Sequence, residues 1–226
     1  MASAVSIGVD IGQRVDPTAI VVAEAVRPYS GTRPEFIIRD LGRLPLGTPY
    51  PAVAQQIAWV VARLAERRPS YRRRGQLIEP EPPHIRMDAT GLGQPVVELV
   101  RQMLDEQDLD YALTPVTFTH GDRYSRRWVE GAVSVGKAYL VSRLQMLLQT
   151  ERIQLPQTPE ARALAQELLD YEIRVSEDAN DRYGAFRVGS HDDLVTALGL
   201  AVLEDPWDAD DYTISMTING VPVAPF

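Results

Sequence analysis

The sequence has no cysteine at all, and of its 23 basic residues only Lys137 is a lysine. Without cysteine there are no disulfides, no thiolate nucleophile and no cysteine-type zinc site, although the redox compartment stays open. No run of 18 consecutive apolar residues occurs, so no ordinary membrane-spanning helix is encoded. Residues 1–10 (MASAVSIGVD) lack the basic start of a secretory signal. The expectation is a protein that neither passes through a leader nor sits in a membrane, with an intracellular place as the default. Repeats and low-complexity segments are absent too. What is present is an ordinary globular composition over 226 residues, 45% hydrophobic and 24% charged. That length can bury a substantial core without staples.

The net charge of −8 argues at first against a protein held to nucleic acid by bulk electrostatics. The charge is unevenly placed, however. Arg187 is the last basic residue, and seven acids follow it, which leaves 24 acids against 23 bases over residues 1–187. Arginine binds phosphate through a planar fork of donors, and it clusters twice: at Arg63, Arg67, Arg68, Arg72, Arg73 and Arg74, and at Arg123, Arg126 and Arg127. Either cluster also reads as a solvated helix end or loop.

Apolar β-branched runs at 5–10 and 18–26, joined by a turn with Gly12, Asp16 and Pro17, predict two strands of a hairpin. A third strand is predicted over 35–41. Val53, Ile57, Val60, Val61 and Leu64 recur at helical spacing, so 51–66 is expected to be an amphipathic helix with Trp59 on its core face. A proline- and arginine-rich connector leads to a strand at 84–88, a turn at 90–93 and a helix over 94–106 with Pro95 in its first turn. A fifth strand is expected at 115–119. Ser134 then caps a helix to about Thr150, and 159–170 is a further helix. Runs 171–176 and 183–188 suggest a hairpin, Asp192 or its neighbour opens a last helix to about Leu203, and Asn219-Gly220 marks a late hairpin. Three strands, then helix and strand in alternation, is the order of a ribonuclease H-like α/β domain. Its mixed central sheet joins an antiparallel three-strand meander to parallel strands reached through crossover helices.

In that layout Asp10 ends the first strand, Asp88 ends the fourth, and Asp192-Asp193 opens the last helix. Acids at the carboxyl ends of buried strands meet at the lip of the sheet, where open α/β sheets bind ligands. Converging carboxylates repel unless a cation holds them. Hard oxygen ligands favour Mg²⁺ or Mn²⁺, and two such ions about 3.5 to 4 Å apart support in-line phosphodiester displacement. Taken singly, each acid could merely cap a turn or a helix.

IGVDIGQRVDPTAIVV at 7–22, DATGLG at 88–93, SVGKAYLVSRLQMLL at 134–148 and, most specifically, GSHDDLVTALGLAV at 189–202 resemble the nuclease domain of bacteriophage large terminase subunits. The resemblance covers roughly residues 5–203. It implies a ribonuclease H-like fold with metal held by Asp10, Asp88 and Asp193, Asp192 assisting. It also implies an endonuclease that cuts concatemeric double-stranded DNA during genome packaging, without strong sequence preference. An ATPase motor, a small terminase and a portal are the implied partners, and the cytoplasm of an infected or lysogenic bacterial host the implied place. Large terminases carry the motor ahead of this domain, so the chain is expected to be an excised nuclease domain or a product encoded without it. The domain is expected to span 1–203, with 204–226 an acidic tail.

His191 is expected to order the neighbouring acids or contact the scissile phosphate, and Lys137 to touch a phosphate or stand beside the acids. Arg123, Arg126 and Arg127 are the preferred DNA contacts, because the fifth strand is expected to deliver them to the Asp88 end of the sheet. Gly131 to Lys137 fits seven positions of a phosphate-binding loop, but Ala138 lacks the Mg²⁺-binding hydroxyl. Other chemistries to weigh are a sugar kinase or actin-like ATP-binding domain, for which the chain is too short, a Holliday-junction resolvase, and an idle docking module.

Overall fold

The computed structural model describes residues 2–12, 16–27, 33–68, 71–73, 76–78, 80–91, 93–127, 131–170, 172–175, 181–184, 192–207, 217–218 and 221–222. Strands β1 (Ala2–Asp10), β2 (Ala19–Arg27) and β3 (Glu35–Arg43) form the antiparallel meander, followed by α1 (Tyr50–Arg67) and a small hairpin of β4 (Tyr71–Arg73) and β5 (Gln76–Ile78). Next come β6 (His84–Asp88), α2 (Gly93–Glu106), β7 (Ala112–Thr119), β8 (Tyr124–Arg127), β9 (Ala132–Gly136) and α3 (Lys137–Gln149). The chain continues through β10 (Ile153–Gln154), α4 (Pro159–Asp170), the hairpin of β11 (Glu172–Val175) and β12 (Asp181–Gly184), α5 (Asp193–Ala201), and the late hairpin of β13 (Thr217–Ile218) and β14 (Val221–Pro222).

Eight strands form one sheet in the order β10-β3-β2-β1-β6-β7-β9-β8. β6 runs parallel to β1, β7 to β6 and β9 to β7, so the carboxyl ends of β1 and β6 share one edge. Each strand side has its own core. Val5, Ile7, Val9, Ile85 and Met87 pack on one face with α1 and α2. On the other, Val21, Ala23, Val116, Val133 and Val135 pack with α3, α4 and α5. This alternation is why β1 is apolar at odd positions and carries Ser6, Gly8 and Asp10 between them. A Cβ at Gly8 would stand 2.0 Å from the Ala197 carbonyl oxygen and 2.4 Å from the Ala201 nitrogen. Glycine here lets α5 lie on β1 at backbone contact.

The meander, the parallel extension and the helices over 51–66, 94–106 and 159–170 match the sequence expectations. Three local readings do not. Residues 132–136 are strand rather than helix: Val133 and Val135 alternate inward and pair with β7, and α3 begins only at Lys137, capped by Gly136 with no side-chain bond. The stretch resembling a phosphate-binding loop is therefore itself a strand. Trp59 is 52% exposed, since the buried stripe of α1 runs through Val53, Ala54, Ile57, Ala58, Val60 and Val61. Strands β8 and β9, too polar and too short to signal themselves, extend the sheet beyond β7. His191, Trp128 and Asn219-Gly220 lie outside the described residues.

Beneath the far end of α5 lies a buried polar network. Arg86, only 3% exposed, donates to Ser6 Oγ (3.0 Å) and to Glu204 Oε2 (2.9 Å), and the Tyr124 hydroxyl donates to Glu204. Burial acts to raise the Glu204 carboxyl, but Arg86 and the bonds it receives outweigh this and hold it below its ordinary value. Asp205 is gripped by Arg143 (2.7 Å) and Arg152 (3.1 Å). These two acids, the first of the stretch read as a tail, are thus tied into the body. Nearby, His84 meets Thr114 Oγ1 at 2.8 Å, and burial, then the Arg86 charge, lower its pKa from 6.5 to about 3.

Two outcomes are expected. Gly8→Ala should cost about 3 kcal/mol in urea unfolding, because overpacking against a fixed backbone cannot relax. The neutral His84 makes the unfolded chain the better proton acceptor between pH 6.5 and about 3. Its contribution is therefore intact above pH 6.5 and lost as pH falls, and His84→Asn should flatten that slope in urea midpoints measured across the range.

Candidate active site

Asp10 closes β1 and Asp88 closes β6, and the parallel register Val9↔Met87 sets the two side by side. Asp192 and Asp193 stand at the start of α5, delivered to the same edge by the seating of α5 on Gly8. Asp192 is the N-cap residue of α5, yet its carboxylate makes no capping bond, so it is not engaged as a helix cap. These four acids, with Lys137, Thr90, Thr196 and Asp16, line one cleft of about 210 Å³.

The electrostatics reflect the crowding. Burial, then the charges of Asp88, Asp192 and Asp193, push the Asp10 carboxyl well above the usual carboxylate range, with Lys137 pulling the other way. Burial raises Asp88 as well, opposed by Thr90 hydrogen bonds and Lys137. Asp88 Oδ1 accepts the Thr90 N–H at 2.8 Å, so it does form the tight turn that its sequence position allows, while still facing the cleft. Gly93 permits that turn: a Cβ there would lie 2.3 Å from the Asp88 carbonyl oxygen. Thr90 Oγ1 also receives the Phe118 N–H (2.9 Å), tying the turn to β7.

The donor set is all carboxylate oxygen, which suits a hard divalent cation. Among the described residues no three acids or imidazoles form a ready-made ion-binding group, although the four aspartates share the cleft. Arg43 enters the site too: its Nε donates to Asp193 Oδ2 while its Nη2 pairs with Glu167. Sequence reading missed both residues. Arg43 had a signal in the meander register, where Asp10↔Ala19 and Ala19↔Arg43 place it level with Asp10. Glu167 had none, since only the packing of α4 on α5 brings it there.

Lys137 stands at the cleft as expected. Neither Arg123 nor Arg126 lines the acid cleft. β8 turns back as the edge strand, three strands from Asp88, roughly 14 Å at ordinary strand spacing. The exposed Arg126 acts instead on Glu204, Tyr124 and His84. Arg123 sits at the turn before β8, where its carbonyl receives the Gly136 N–H (2.7 Å), and the Arg127 side chain lies outside the description. The other arginine cluster falls in part at the far end of α1, where Arg63 pairs with Glu66 and Arg68 bonds to Ser3 and Glu81 carbonyls.

Because Asp10 is held above its ordinary pKa, the folded protein loses stability as pH rises from that ordinary value to the shifted one, and the loss then stays constant. Asp10→Asn should therefore raise the melting temperature of the ion-free protein. If these acids hold a divalent cation, it should also abolish the stabilisation by Mg²⁺ or Mn²⁺ expected of the parent protein, worth about 2.7 kcal/mol at a hundredfold excess over Kd. Differential scanning fluorimetry reads both.

No family model matches the chain, and no curated protein matches it in sequence. Solved structures do share its architecture. The large terminase nuclease from thermophilic phage G20c aligns with a TM-score of 0.55 and 18% identity, over 89% of this chain and 82% of that one. Its form with bound magnesium aligns at 0.52 and 21%, over 88% and 80%. The human cytomegalovirus terminase nuclease domain aligns at 0.55 and 13%, over 89% and 83%. At these identities the likeness lies in the fold, and the chain has the ribonuclease H-like α/β fold of large terminase nuclease domains.

Proposed function

We propose that this protein is a metal-dependent endonuclease that hydrolyses phosphodiester bonds of double-stranded DNA. The observation that carries the reading is the meeting of Asp10, Asp88, Asp192 and Asp193 with Lys137 in one cleft at the carboxyl edge of the sheet. The magnesium-bound form of the G20c nuclease supports a divalent cation in this fold. Asp10, Asp88 and Asp193 would hold the cations, Mg²⁺ or Mn²⁺, with Asp192 as an auxiliary ligand. Two bound ions would supply water activation and stabilisation of the leaving oxygen. Lys137 extends a positive charge from the start of α3 to the phosphate that is cut. The Thr90 turn fixes Asp88, and α5 fixes Asp193, so the acids are held before the substrate arrives. His191, two residues before Asp193, is proposed to assist at the same edge.

The resemblance to terminase nucleases extends the proposal to cutting of concatemeric viral DNA during packaging. An ATPase motor, a small terminase and a portal would then be partners in the cytoplasm of a bacterial host. No helix of the described residues is long and apolar enough to cross a membrane. The nuclease domain, expected over 1–203, takes in Glu204 and Asp205 as well in this reading, with the acidic stretch after them an addition to it. The Arg123, Arg126 and Arg127 segment remains the proposed route for flanking DNA, on the edge strand rather than in the cleft.

The test is supercoiled plasmid with Mg²⁺ or Mn²⁺. The parent chain should nick and linearise it, Asp10→Ala and Asp193→Ala should fall to background, and Lys137→Ala should lower kcat about 10²-fold. No cutting under either ion, or cutting unchanged by both aspartate variants, would refute the reading. ATP turnover without cutting would point to a kinase-like domain, and preference for four-way junctions to a resolvase.

A further inference from the structure

We infer that Arg43 is a positioning residue that holds Asp193 in the ion-free site and yields it to a divalent cation, Glu167 then taking over the guanidinium. The inference rests on the proposed role of Asp193 as a metal ligand. Arg43 ends β3 and lies between two carboxylates from different helices, its Nε on Asp193 Oδ2 of α5 and its Nη2 on Glu167 Oε1 of α4. The triad is largely withdrawn from water, with side-chain exposures of 27% for Arg43, 11% for Glu167 and 4% for Asp193.

Two features make it a switch between partners rather than a static pair. Glu167 Oε2 is buried and has no hydrogen-bond partner among the described residues. A guanidinium fork matches both oxygens of one carboxylate, so Arg43 released from Asp193 can bond Glu167 through both and satisfy that oxygen. At the same time, Asp193 lines the cleft with Asp10, Asp88 and Asp192, where a cation held by these acids would compete with Arg43 for it. A cation and a guanidinium competing for the same carboxylate repel each other strongly away from bulk water. Lys137 acts on Asp10 and Asp88, so the acid cluster has a separate compensating cation on each side.

Removing Arg43 and removing its second acceptor should therefore move the ion requirement in opposite directions. Thermal stabilisation of the full chain is followed against Mn²⁺ concentration for the parent, Arg43→Gln and Glu167→Gln. Glu167→Gln offers one acceptor oxygen in place of two, leaves Arg43 on Asp193, and should raise the half-saturating Mn²⁺ about tenfold. Arg43→Gln should lower the ion-free melting temperature and also lower the half-saturating Mn²⁺. A merely structural ion pair would reduce stability in both and leave the Mn²⁺ requirement alone. That result, or shifts in the same direction, would overturn the inference while leaving plasmid cutting by the parent chain intact. If Arg43→Gln fails to fold, Glu167→Gln decides by itself. A parent chain neither stabilised by Mn²⁺ nor able to cut plasmid would instead refute the nuclease reading and this inference with it.

Discussion

Helix α5 rests on β1 at backbone contact, through the missing side chain of Gly8, and the meeting of Asp192 and Asp193 with Asp10 and Asp88 depends on that approach. A helix one methyl group further out would carry Asp192 and Asp193 away from Asp10 and Asp88. The helix is also held at both ends. Arg43 engages Asp193 where it begins, and beyond its end Arg86 engages Glu204 while Arg143 and Arg152 engage Asp205. Apolar packing alone would let a smooth helix such as DLVTALGLA slide along the sheet. Charged contacts at fixed points give it a register, a use of buried polar groups that trades stability for specificity.

Electrostatics connects this scaffold to chemistry. Four carboxylates at one edge repel each other, and burial strengthens the repulsion by removing water that would screen it. The fold answers with one cation from each flank, Lys137 and Arg43, which compensates the cluster only in part. In the proposed function the missing positive charge is a divalent cation, which hard oxygen donors suit. The net charge of −8 takes on a different meaning in this light. Asp192 and Asp193 belong to the cleft, and Glu204 and Asp205 are neutralised by buried arginines, so four of the seven acids after Arg187 serve the interior of the domain.

The legible parts of the fold were those with strong local periodicity. Val5, Ile7 and Val9, or Val53, Ile57 and Val60, announce strand and helix because each buries a complete face. The acids were legible because they interrupt such runs at strand ends, as in SIGVD and HIRMD. What escaped the reading lacked a local signature. Ser134 looks like a helix cap, but the pairing of Val133 and Val135 with β7 overrides that preference. Trp59 looks apolar, but its position on α1 falls on the side opposite the buried stripe and turns it out of the core. Arg126 and Arg127 follow the fifth strand in sequence, yet a hairpin reverses the chain before they can reach the acids.

By itself, the sequence determined the mixed character of the sheet, its main elements from β1 to β7 apart from the small β4–β5 hairpin, and the placement of Asp10, Asp88 and the Asp192-Asp193 pair at element ends. These follow from hydrophobic period and chain direction, which are properties of neighbouring residues. Lys137 beside the acids was expected from sequence, and only the tertiary structure added Arg43 as the second cation there. Only there did Glu167 enter the site and Glu204 and Asp205 join the core. Such choices depend on how helices from distant parts of the chain seat on the sheet, and an ion pair spanning 150 residues, Arg43 with Asp193, leaves no periodic trace in either segment.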